Sequence, residues 1–315
     1  MRFLIFFLFF SSAALLADEQ KHLSGVQWLE KVSAAMKTLN YHGTVVFMKN
    51  DQIDTMKYRH TVENGIETES LTSLNSPLRE LTRKSNEIRC LYKETNKKIE
   101  AHHPLDRSFI VNLPVTPERL DGQYLLAVAG QEMIAMRPAQ IIVVLPKDEL
   151  RYARKIWADT ASWLPLKVEI YGPEGNALEQ VLFTEFAVDA AEINTQGVVD
   201  PAGGESQVHA KQTETFEQSS FRLNYWPAGF ETVFFIRNTM QASKKTVDHL
   251  LISDGFSNIS VYFEEKGEHS VEGLRTLGSV NSFSRVTGNL QITVLGEVPA
   301  RTVELVANGA ALRDN

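Results

Sequence analysis

The sequence predicts an α+β protein built mainly from antiparallel strands, with one long helix early in the chain and a smaller α+β domain at its end. Three observations carry this expectation. Apolar residues recur every three to four positions in one early segment and alternate with polar residues in most later ones, and Asn-Gly, Asp-Gly and Gly-Asn pairs separate the strand-like runs.

The chain opens MRFLIFFLFFSSAALLA, a single cation, an apolar run and then small residues to Ala17. This is the pattern of a cleaved export signal over residues 1–17. As a membrane span it is too short, because a helical crossing needs about 20 apolar residues and Ser11-Ser12 interrupt this run. Removing it deletes only Arg2 among the charges, so the net charge moves from −7 to about −8. That excludes the strong basic excess of a nucleic-acid protein. The remaining chain of about 298 residues exceeds one core. Two domains are expected: a large β domain over 18–188 and a small α+β domain over 218–315. The linker between them, 189–217, follows neither period and is rich in Gly, Ala, Thr, Gln and acids.

In the first element, LSGVQWLEKVSAAMKTLNYHG, Val26, Leu29, Val32, Met36 and Leu39 form one helical face, Ser24 with Gln27 fits a capping box, and Asn40 to Gly43 stop the helix. Strands follow from Thr44. TVVFMKN is one, Asn64-Gly65 joins two more as a tight hairpin, and a further pair turns at Ser85-Asn86. Pro114 and Pro117 break the alternation, and Thr116 with Pro117 can start a short helix running to Tyr124. MIAMRPAQIIVVLP, LRYARKIWAD, LPLKVEIYG and ALEQVLFTEFAV restore the strands. In the third of these, Leu166, Val168 and Ile170 are expected on one face and Lys167, Glu169 and Tyr171 on the other, after a turn closed by Asp159 and Ser162. Beyond the linker come FRLNYWPAGFETV, HLLISDGFSNISVYFEE, LGSVNSFSRV and LQITVLGEV as strands, and then a helix over PARTVELVANGAAL.

Catalytic chemistry finds no support. The chain has no Gly-x-Ser-x-Gly elbow, no phosphate-cradling glycine loop and no His-Glu-x-x-His; His102 and His103 are adjacent in a strand and point to opposite faces. No enzyme, metal or cofactor is expected. Cys90, the only cysteine, can form no internal disulfide, and its alternation with Ile88 and Tyr92 reads as an inert residue on an apolar strand face. Two features suit binding. Residues 79–98 carry a local net charge of about +4 and include Arg79, Arg83 and Arg89, a seat for an anionic partner or an ordinary solvated strand face. The aromatic residues Phe47, Tyr58, Trp157, Trp163 and Phe256 read as core, or as the wall of an apolar groove between a curved sheet and its helix.

YRHTVENG, LRELTRKSNEI, RYARKIWADTASWLPLKVEIYGPEGNALEQ, WPAGF, LLISDGFSNISVYFE and ITVLGEVPARTVELVA resemble, in that order, the RseB/MucB family of periplasmic sigma-E regulators. The resemblance spans both expected domains. It implies an N-terminal half-open antiparallel barrel of the LolA/LolB kind with helices, and a smaller C-terminal α+β domain. It further implies a periplasmic negative regulator that binds the periplasmic region of a transmembrane anti-sigma factor, shields it from site-1 proteolysis, and lets go on a lipopolysaccharide or lipoprotein acyl-chain signal. Arg154-Lys155 depart from the more apolar strand the family pattern suggests. The rival reading is a periplasmic lipid or lipoprotein carrier, against which the second domain argues. A homo-oligomer stays open.

Overall fold

The computed structural model describes residues 23–84, 87–92, 97–102, 108–113, 120, 122–189, 215–239, 246–268 and 270–313. The export signal, linker residues 190–214, the Ser85-Asn86 turn, His103 and the Thr116-Pro117 helix start lie outside them.

Helix α1 (Gly25–Thr38) is capped as its sequence predicts: Ser24 Oγ accepts the Gln27 N–H at 3.2 Å and Gln27 Oε1 accepts the Ser24 N–H at 2.8 Å. Its buried face adds Trp28 to Leu29, Val32 and Met36. Each large side chain so buried contributes about 1.5–3 kcal/mol.

Strands β1 (Tyr41–Lys49), β2 (Gln52–Glu63), β3 (Ile66–Ser73), β4 (Arg79–Lys84), β5 (Glu87–Tyr92) and β6 (Lys97–His102) form one meander. A second comprises β7 (Tyr124–Ile134), β8 (Arg137–Pro146), β9 (Ala153–Asp159), β10 (Pro165–Tyr171) and β11 (Ala177–Val188). Pairing of β1 with β11 fuses them into an 11-stranded antiparallel sheet with β6 and β7 at its edges. Those edges do not pair with each other, so the sheet is half open, with α1 packed on its inner face over β7 and β8. At Gly43 the seam strands approach so closely that a Cβ would lie 2.1 Å from the Glu185 carbonyl oxygen. Gly43→Ala is expected to lower stability by about 1–3 kcal/mol, measured as a lower urea midpoint; an unchanged midpoint would mean the seam yields freely.

Three local expectations are corrected. MIAMRPAQIIVVLP is two strands, because Ala135 and Met136 adopt positive φ values of 49° and 61° in a hairpin turn. Neither residue type announces such a turn, and β7, largely exposed along its length, shows no alternation to read. Leu166 does not share a face with Val168: a register shift between Pro165 and Lys167 turns it to the outer face, where it packs with Trp157 and Ala139. The last helix, α2 (Ala300–Gly309), ends early; its expected final residues form strand β19 (Ala310–Leu312), paired with β12 (Phe221–Leu223).

The C-terminal domain is a six-stranded antiparallel sheet of β13 (Glu231–Thr239), β14 (Thr246–Ser253), β15 (Asn258–Glu265), β16 (Gly273–Leu277), β17 (Val280–Thr287) and β18 (Leu290–Gly296), in the order β13-β14-β15-β18-β17-β16. Its core holds Phe235, Val261, Phe263 and Val294 from the strands, Val303 and Val306 from α2, and Phe216.

Candidate functional site

The two sheets meet where the loop before β9 and β9 itself face the β14–β15 turn. Arg151, fully buried, donates from Nε to Asp254 Oδ2 at 2.5 Å and also to Asp148 and the Ala228 carbonyl. Tyr124 donates to the same Asp254 oxygen at 2.8 Å, and burial, followed by the Asp254 charge, pushes its hydroxyl well above the usual tyrosine range. A few ångströms along the strand, Arg154 donates to Glu297 at 3.1 Å, and Asn281 Nδ2 donates to Tyr152 Oη at 2.9 Å. Burial opposes the Arg154 charge, but Glu297 and Asp254 outweigh it and hold the guanidinium firmly protonated. The junction is therefore ionic at its heart. Phe256, carried by the same turn, crosses it and belongs to the inner-face core of the large domain, edge-on to Tyr124 at 5.4 Å.

Beside this junction lies a cleft of about 170 Å³. Phe47, Val168 and Val181 of the inner sheet face form one wall, residues 108–112 another, and Phe256 with Arg154 and Glu297 the side toward the small domain. The cleft is of mixed character: the apolar side chains share it with Ser108, Asn112, Arg154, Glu179 and Glu297, a lining that suits a segment carrying both apolar side chains and backbone polar groups.

Of the residues singled out from sequence, the structure brings two, Phe47 and Phe256, to this cleft. Trp163 packs on Trp28 with ring centroids 4.7 Å apart, and Lys31 covers its ring. Trp157 lies on the outer face beneath Lys167 and donates to Glu132 at 2.8 Å. Tyr58 is interior, bonded to Tyr41 at 3.1 Å and donating to Glu69 at 2.8 Å. Burial, then the neighbouring Tyr41 and Glu69, raises its hydroxyl well above the ordinary range.

The basic cluster divides. Arg83 is buried and donates to Glu69 at 3.1 Å and Glu67 at 3.3 Å, so it offers an anionic partner no surface. Arg79 is half-buried and pairs with Asp54 at 2.8 Å, whereas Arg89 is exposed on β5. Sequence reasoning missed Glu69, Arg151, Asp254 and Glu297. The one signal was Arg154-Lys155 in an otherwise apolar strand: Arg154, like Arg151, carries its charge to the small domain.

The turn between β9 and β10 is held as its residues suggest. Asp159 Oδ2 accepts the Ser162 N–H at 2.8 Å and hydroxyl at 2.7 Å, and its carboxylate receives a two-pronged contact from Arg137 at 2.9 Å. Burial pushes the Asp159 carboxyl up, but Arg137 and Ser162 together hold it below the usual range. A depressed carboxylate stabilises the fold at neutral pH and loses that contribution as pH falls through its lowered value. Asp159→Asn is thus expected to cost about 2 kcal/mol at pH 7, with the gap to wild type shrinking in denaturant titrations toward pH 3. A gap that stays constant with pH would assign the cost to packing.

Comparison with known proteins finds two family models along the chain. The family model described as the MucB/RseB N-terminal domain matches residues 24–210, and the MucB/RseB C-terminal domain matches residues 215–311. The chain is 29% identical over 290 residues to the sigma factor AlgU regulatory protein MucB of Pseudomonas aeruginosa, covering 89% of this chain and 88% of that one. To the sigma-E factor regulatory protein RseB of Salmonella typhimurium it is 26% identical over 300 residues, 90% of each. Among solved structures, the Pseudomonas aeruginosa MucA/MucB complex aligns with a TM-score of 0.71 at 26% identity, over 92% of this chain and 99% of that chain. MucB in complex with MucA(peri) aligns at 0.68 and 25% identity, over 91% and 98%.

Proposed function

This chain belongs to the MucB/RseB family, and on that premise we propose that it is a periplasmic negative regulator of an envelope-stress sigma factor. It binds the periplasmic region of a membrane-spanning anti-sigma factor and shields it from site-1 proteolysis, acting by binding rather than by catalysis. Its leader, residues 1–17, directs export and is cleaved. Lipopolysaccharide or the acyl chains of mislocalised lipoprotein release the partner.

The observation that carries this reading is the extent of the likeness to a protein solved with MucA: it runs through both domains, 92% of this chain and 99% of the other. The cleft at the junction, lined by both apolar and charged side chains and flanked by both domains, offers a peptide segment partners for its side chains and its backbone. Release by lipid requires that the lipid bind the partner-free form more tightly than the partner-bound one; a lipid indifferent to the two shifts nothing. The test is retention of the anti-sigma periplasmic segment on the immobilised protein, with and without lipopolysaccharide, alongside site-1 protease digestion of the retained segment. Retention, protection and release by lipopolysaccharide are the expected results. No retention in either condition ends the proposal.

A further inference from the structure

Residues 108–113, Ser-Phe-Ile-Val-Asn-Leu, cross the inner face of the large sheet without helix or strand geometry. Ile110 and Val111 are 4% and 7% exposed and belong to the same core as Trp28, Val45 and Phe183, with Phe109 and Leu113 packed against it. The segment is tied to the sheet through one side chain. Glu69, 1% exposed, accepts the Ser108 hydroxyl at 2.6 Å and the Phe109 N–H at 2.9 Å, while Tyr58 and Arg83 donate to it from the sheet itself. Next in the segment, Asn112 keeps its Oδ1 buried without a hydrogen-bond partner, which penalises this placement. A largely apolar hexapeptide thus packs on the inner face and lines the cleft, bonded to a buried carboxylate and carrying an unsatisfied acceptor.

We infer that this segment is an internal stand-in for a partner peptide: an extended apolar stretch of the partner occupies the inner face by displacing residues 108–113, and Glu69 is the group that exchanges one for the other. This rests on the binding role proposed above and assigns the chemistry of what is bound. Two arguments favour a peptide over an aliphatic chain. The groove already accommodates a peptide of this apolar character. And when the segment leaves, Glu69 loses two donors; a peptide in its place supplies N–H groups to replace them, whereas a hydrocarbon chain covers the carboxylate and leaves it short. A partner must also overcome the closed state, so its apparent affinity is lowered by the fraction of molecules in which the groove is free.

The experiment is hydrogen–deuterium exchange of the full chain with a soluble peptide carrying SFIVNL between flanking lysines. Exchange at the amides of residues 109–113 is expected to quicken at least tenfold at saturation, while β1, β10 and β11 stay protected. Ser108→Ala, which removes the bond to Glu69 and the one from the Ile110 N–H while changing no residue of the sheet, is expected to bind the peptide about tenfold more tightly. Failure of the peptide to bind both proteins overturns the inference, as does slower or unchanged exchange at 109–113 on binding. A single-chain zwitterionic lysophospholipid that releases the segment where the peptide does not would assign the groove to lipid and overturn it equally. Running the anti-sigma periplasmic segment in parallel separates the claims. Binding of that segment with 109–113 unmoved sinks the stand-in and leaves the regulator; no binding, with the SFIVNL peptide still active, does the reverse.

Discussion

Replacing Asp254 by alanine is expected to cost about 3–5 kcal/mol of folding stability and to loosen the two domains from each other. The side chain does two jobs at once. Its Oδ2 closes the buried contact with Arg151 at 2.5 Å and takes the Tyr124 hydroxyl at 2.8 Å. Its Oδ1 accepts the backbone N–H groups of Phe256 at 3.1 Å and Ser257 at 2.7 Å, shaping the turn that delivers Phe256 into the other domain. Alanine leaves the Arg151 guanidinium enclosed with only the half-buried Asp148 as counter-charge, orphans the Tyr124 hydroxyl, and lets the turn relax. Urea unfolding followed by tryptophan emission measures the stability, and small-angle scattering measures the separation. Asp254→Asn, which keeps an acceptor for the turn but loses the charge, should fall between wild type and alanine. A loss below about 1 kcal/mol would show that the junction is an ordinary surface ion pair.

The second large effect is expected at Arg83→Met. With its guanidinium gone, Glu67 and Glu69, two positions apart on the same face of β3, lose their shared cation with Glu69 almost wholly buried, and a loss of about 3–5 kcal/mol follows. Adding Glu69→Gln should restore part of it, because the amide removes the stranded charge while keeping an acceptor for Tyr58, Ser108 and the Phe109 N–H. Arg89→Met on exposed β5 is expected to change stability by less than about 0.5 kcal/mol. The three urea midpoints together test whether Arg83 is a structural cation; equal, small shifts at both arginines would return it to the surface cluster in which its sequence neighbours place it.

That contrast explains what could be read in advance. Helix α1, the Asn64-Gly65 hairpin and the Asp159 turn are local: their caps, periods and turn residues lie within a few positions of one another, and they form as expected. The face assignment of Leu166 failed because one extra residue in β10 reverses the alternation without altering composition. Arg79, Arg83 and Arg89 are chemically alike in sequence, yet alternation and pairing send one to a carboxylate inside the sheet and another to solvent. The site was the least legible part. Arg151 and Asp254 stand 103 positions apart, and Glu69 lies 39 from Ser108. No spacing rule connects them; only the closing of the sheet and the docking of the small domain bring them together. The fold class could be recognised because the family resemblance runs over about nine-tenths of the chain, independently of any one contact.

The seam between β1 and β11 has a kinetic consequence. Each meander can assemble from neighbours in sequence, but the ladder that unites them joins Thr44 to Glu185, 141 positions away. Contacts of such separation are slow to form because a long loop must be closed before they repay its entropy. A newly made chain should therefore pass through an interval with two half-sheets formed and the apolar seam, Val45 on one side and Phe183 on the other, still open to other chains. Crowding during synthesis would act on that interval first, making refolding yield far more sensitive to protein concentration than native stability is.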